Sequence, residues 1–167
     1  MTRYVDGVTI RLLRNGDTAT VAALFDRLGD RSRAQRFAMA KPRLTEADLA
    51  ALARVDGDHH VLVAFLDGDP RPAAMAQLVR DGATAEVAFA VADEYQGRGL
   101  GSILSRELAA DARAAGIREL RATVSGENPR AVSLISRSLA SGRSRRVRTS
   151  WVGGVRELVV PLDAPAP

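Results

Sequence analysis

The chain has 167 residues, 46% of them hydrophobic, a formal net charge of +4, no cysteine and two histidines. That length suits one domain with a proper core, and the missing thiols exclude a disulfide framework, a thiolate metal site and a nucleophilic cysteine, so no metal centre is expected. Lys41 is the only lysine, and an arginine excess this small, spread over a domain, attracts an anionic ligand but supports nucleic-acid binding weakly.

Residues 8–14 alternate apolar and polar side chains as a first strand does, and Asn15-Gly16-Asp17-Thr18 supplies turn and capping chemistry for a helix through Leu28. Residues 30–40 predict a second helix ended by Lys41-Pro42. Thr45 with Asp48 forms an approximate capping box for a third helix, to about Val55. From His60 the period changes to two: residues 60–66, 73–80 and 84–91, separated by Asp67-Gly68-Asp69-Pro70 and Asp81-Gly82, read as an antiparallel three-stranded meander.

A glycine turn follows, then a helix over 99–115 whose Ile103, Leu104, Leu108 and Ala112 face a core, ended by Gly116. Residues 118–124 predict a fifth strand and 128–140 another helix. Two last strands are expected over 143–149 and 155–162. The expected fold is α/β (α+β): one domain, core about 8–162, with a central mixed, mostly antiparallel sheet of about seven strands flanked by helices. No apolar run has signal-peptide length or the ~20 residues that cross a bilayer, so a cytoplasmic protein without a membrane partner is expected.

The segment from Val91 to Ser102 carries the chemistry. Gln96, Gly97, Arg98, Gly99, Leu100, Gly101 and Ser102 lie between a strand and a helix. Glycines there let several main-chain N–H groups converge on one anion at the positive end of the helix dipole, and a diphosphate suits them. A Walker loop requires a lysine that is absent, and a dinucleotide fingerprint belongs to a parallel βαβ unit rather than to the end of a meander.

The remaining pattern, Gln96-x-x-Gly99-x-Gly101, resembles the signature of the GNAT superfamily of N-acyltransferases. The resemblance implies that residues 96–102 hold the pyrophosphate of acetyl-CoA and that the preceding strand, Phe89, Ala90 and Val91, pairs its backbone with the pantetheine arm. Asn128, Ala131 and Leu134 match the family's second motif. By that likeness Asn128 bonds the pantetheine region, a role compatible with capping a helix. A narrower likeness, to the catalytic domain of bacterial protein lysine acetyltransferases, rests on residues 32–37, 44–55, 59–65 and Ala85-Glu86-Val87-Ala88-Phe89. Two positions depart from the family: Ile135 stands where a tyrosine often protonates the departing thiolate, and Leu139-Ala140 replaces the usual Gly-Phe.

An alkylammonium with a pKa of about 10.4 is roughly one part in a few thousand neutral at pH 7, a disadvantage of about 4.6 kcal/mol. Glu86 is the expected base, because its strand resembles the one that bears the base in lysine acetyltransferases. Alternation sets it on the face opposite Val87 and Phe89. The expected function is acetyl transfer from acetyl-CoA to a primary amine, a protein lysine first, by direct attack. A small-molecule or N-terminal amine, and a coenzyme-binding module without turnover, are the alternatives. His59-His60 as base and Tyr95 as acid are weaker candidates, and Arg143-Ser144-Arg145-Arg146-Val147-Arg148 reads as a charged edge, with a contact to an acidic protein substrate or nucleic acid as the alternative. The acceptor, the acyl-chain preference and the oligomeric state stay open.

Overall fold

The computed structural model describes residues 1–125, 128–139 and 147–163. The strands are β1 (Thr2–Val5), β2 (Val8–Leu12), β3 (His59–Leu66), β4 (Ala74–Asp81), β5 (Thr84–Val91), β6 (Glu119–Ser125), β7 (Arg148–Val152) and β8 (Val155–Pro161). The helices are α1 (Thr18–Phe25), α2 (Asp30–Phe37), α3 (Glu46–Leu52), α4 (Leu100–Ala114) and α5 (Pro129–Leu134), the last running into a π turn at Ile135–Leu139. The strands make one sheet in the order β1-β2-β3-β4-β5-β6-β8-β7, eight where about seven were expected.

The additional strand is β1, a hairpin partner of β2 in which Val5 lies opposite Val8. Asp6 and Gly7 connect them with φ of 49° and 78°, the left-handed pair that a two-residue hairpin turn requires. The last hairpin also moves: β7 begins at Arg148 and turns through Gly153 and Gly154, whereas the expected strand over 143–149 falls partly outside the described residues. α2 stops at Phe37 because Ala38 takes a left-handed conformation, φ 56°, earlier than Lys41-Pro42 implied. The capping box of α3 is present in both directions, Thr45 with Asp48.

Alternation along the meander divides the core between two faces. Leu62, Ala64, Ala74, Ala76, Leu78, Ala85 and Val87 meet Leu104, Leu108 and Ala112 of α4 on one face. Val61, Val63, Met75 and Ala90 meet Leu13, Val21, Leu24 and Phe25, the last three in α1, on the other. Each large side chain buried in this way contributes about 1.5–3 kcal/mol.

One junction positions everything that follows. All contacts in the sheet are antiparallel except β5 with β6, which pair in parallel for three positions, Thr84 with Glu119 to Glu86 with Arg121. Beyond Arg121, β6 pairs only with β8, and beyond Glu86, β5 pairs only with β4. Two mid-sheet strands therefore present backbone edges to each other without sharing bonds.

Candidate active site

A cavity of about 620 Å³ occupies this split, lined by Val87 to Val91 from β5 and by Ala122, Thr123 and Val124 from β6. The glycine turn is at its far end and α5 along one side, with Asn128, Ala131, Leu134 and Ile135 in its wall. α2 contributes Ser32, Gln35 and Arg36.

The turn leads into a helix N-terminus that no side chain caps. Gly99 is the N-cap of α4 at φ 87° with no side chain capping it, and Gly97 has φ 77°. The first intrahelical bond runs from Ile103 N to Gly99 O at 3.0 Å, so the N–H groups of Leu100, Gly101 and Ser102 precede it at the positive end of the dipole. Gly101 serves a different purpose: a Cβ there would come within 3.0 Å of Leu134 Cδ2, so its absence lets α4 and α5 approach closely. Arg130 and Arg137 add positive charge to the lining.

Polar contacts fasten the turn to its surroundings. Gln96 Nε2 donates to Val91 O and to Ser32 Oγ, both at 3.1 Å. Asp93 accepts from Ser32 Oγ at 2.6 Å and from Gly29 N at 3.1 Å. A Cβ on Gly29 would lie 2.7 Å from that carboxylate. Beneath it Arg27, 5% exposed, donates to Asp69 and Glu94, and its guanidinium stacks 4.9 Å from the centre of the Tyr95 ring. The Tyr95 hydroxyl donates to Asp69 at 2.9 Å, and the residue also lines the cavity.

Of the residues singled out from sequence, Phe89, Ala90, Val91, Gln96, Gly97, Gly99, Leu100, Gly101, Ser102 and Asn128 all line the cavity. Asn128 also caps α5, its Oδ1 accepting from Ala131 N at 3.1 Å. Arg98 lies outside the lining, its guanidinium 5.3 Å from the centre of the Tyr95 ring. Glu86 also lies outside it, exposed on β5 at the last position paired with β6. His59 bonds Asp56 and His60 bonds Asp111, each at 2.8 Å; neither is in the cavity wall. Ile135 is in that wall and only 2% exposed, so an apolar side chain occupies the place of the family's tyrosine. Sequence reasoning missed Arg36 and Gln35, and it missed Thr123; each comes from an element remote in the chain from the glycine turn.

The cavity thus follows a mid-sheet split that ends at a glycine-lined helix N-terminus without a side-chain cap. The chain belongs to the acetyltransferase (GNAT) family, whose model matches residues 24–139; the family's cosubstrate is acetyl-CoA. Among its relatives, the chain is 40% identical over 88 residues to the acetyltransferase Pat of Mycolicibacterium smegmatis, a match covering 50% of this chain and 26% of that protein. The chain thus spans about a quarter of that relative's length. The GNAT domain of S. lividans PAT superposes with a TM-score of 0.80 at 28% identity, over 93% of this chain and 90% of that one. Spermidine N-acetyltransferase from Vibrio cholerae, solved with CoA and spermine, has the same fold at a TM-score of 0.68 and 19% identity, over 95% of this chain and 97% of that one.

Proposed function

We propose that this chain, acting as one domain in the cytoplasm, transfers the acetyl group of acetyl-CoA to a primary amine, with a protein lysine as the leading acceptor. The observation that carries the reading is the split after Glu86 and Arg121, opened toward the glycine turn. A pantetheine arm running along β5 would satisfy backbone groups that β6 leaves unpaired, while residues 96–102 receive the diphosphate. The likeness to Pat favours a protein acceptor.

Glu86 is the proposed base. It ends the parallel register on the face of the sheet that α2 covers, beside the point where the strands part. The amine gives its proton to Glu86, directly or through a water, and its nitrogen attacks the thioester carbon. Free N–H groups of β5 near Val91 stabilise the tetrahedral oxyanion. The C–S bond then breaks and coenzyme A leaves as a thiolate. A thiol of pKa about 8.5 is a tolerable leaving group near neutrality, so the reaction proceeds with Ile135 in place of a phenol and the thiolate takes its proton from water.

Steady-state assays of thioester consumption with lysine peptides, N-terminal peptides and polyamines test the reading. Glu86→Gln is expected to lower kcat by about 10²–10⁴-fold, the usual worth of a general base, with acetyl-CoA affinity retained. Equal turnover in the variant removes Glu86 as base. Tight coenzyme binding without turnover on any amine identifies a binding module instead.

A further inference from the structure

Arg36 stands out among the cations of this molecule. Ser32, Gln35 and Arg36 follow the i, i+3, i+4 spacing that brings side chains to one side of a helix, and all three line the cavity. The Arg36 guanidinium donates to Gln77 Oε1. That amide is held in place by its own bond from Nε2 to Leu52 O at 2.9 Å. Gln77 is neutral and uses one of the five guanidinium donors. No carboxylate among the described residues pairs with Arg36, whereas Arg3 and Arg27 each meet two and Arg148 meets one. Burial draws the Arg36 pKa down to about 10 with nothing opposing it, so the group is still a cation at neutral pH.

Its position separates it from the diphosphate. Gln77 lies opposite Ala88, and Ala88 is three residues short of Val91, where Gln96 anchors the turn. That is roughly 10 Å along an extended strand. On the same face Glu86 is the next side chain beyond Ala88. A half-buried guanidinium in the cavity wall, bonded to Gln77 opposite Ala88, is costly without a counter-charge, and its planar fork matches a carboxylate.

Resting on the acetyltransfer reading above, we propose that Arg36 is a specificity residue that binds a carboxylate carried by one of the substrates, either next to the amine of the acceptor or at the distal end of the acyl chain. On the acceptor side such a group is an aspartate or glutamate flanking a lysine, or the carboxylate of a free amino acid. On the donor side it is the terminal carboxylate of a dicarboxylic acyl-CoA.

Matched pairs read the two sources apart. In the first arm, acetyl-CoA is given with lysine peptides flanked by aspartate or by asparagine, and with amino acids or their amides. In the second, succinyl-CoA is compared with acetyl-CoA on one amine acceptor that bears no carboxylate. The wild type is expected to favour the carboxylate-bearing member about 10- to 100-fold in kcat/KM in one arm, the range of a charged hydrogen bond. Arg36→Gln should bring that ratio to about one, and Arg36→Lys should keep part of it. Should turnover be too slow, melting temperatures give the same comparison, of the coenzyme-saturated protein with the acceptor pairs and of the free protein with succinyl-CoA against acetyl-CoA, and the variants' own melts verify folding. Indifference of the wild type in both arms, or a preference that survives Arg36→Gln, overturns the proposal. Absence of any coenzyme-induced shift instead removes the acetyltransferase reading.

Discussion

Asp69 holds the underside of the glycine turn together. It accepts from Arg71 N at 2.9 Å, from the Tyr95 hydroxyl and from Arg27. The Arg71 backbone donor first, then Tyr95 and Arg27, hold its carboxyl far below the usual range against the opposing effect of desolvation. A depressed carboxylate stabilises the fold fully above its unfolded pKa, about 3.9, and that contribution is lost as pH falls through the folded value. Urea midpoints should therefore fall between pH 5 and pH 2 in the wild type. Asp69→Asn should start lower at pH 7 and lose less over that window; parallel curves would refute the linkage. At Gly99 the backbone conformation decides the outcome: φ is 87° and nothing lies within 4 Å of a Cβ built there. Gly99→Ala is thus expected to cost about 1–2 kcal/mol through the left-handed region alone and to weaken coenzyme binding measured by calorimetry.

Among the elements, the contact of α4 with α5 is the most sensitive, because Leu134 stands where a side chain on Gly101 would go. Gly101→Ala should destabilise by about 1–3 kcal/mol, as overpacking does. In a Leu134→Ala background it should cost less, giving a coupling of about 1 kcal/mol in a double-mutant cycle of chemical denaturation. Strict additivity would mean the two helices do not meet there. The elements with their own local chemistry were legible in the sequence: the capping box at Thr45, the meander with its Asp-Gly turns, and the glycine turn at 96–102. β1 is hard to read from sequence although Asp6-Gly7 is a strong hairpin signal, because the four residues before it alternate weakly. The expected helix over 30–40 overruns α2 because Lys41-Pro42 resembles a helix stop, whereas Ala38 already leaves the helix. The cavity side chains on α2 and β6 were illegible for a physical reason. Arg36 and Thr123 have no motif of their own and become neighbours of the turn only when the sheet sets α2 on one face and parts β5 from β6.

At the scale of the molecule, the sheet does two jobs with one change of direction. Six antiparallel strand contacts and one parallel contact build a continuous layer, and the parallel one, only three pairs long, opens a slot between β5 and β6. On the proposed reading, the slot would offer coenzyme a run of backbone donors and acceptors, and the α4 N-terminus at its end would offer the diphosphate a positive field. Calorimetric titration of the folded protein with acetyl-CoA tests that claim most directly. One saturable site is expected, weakened in Gly99→Ala and competed by free coenzyme A. A flat isotherm from protein that melts cooperatively would contradict the account.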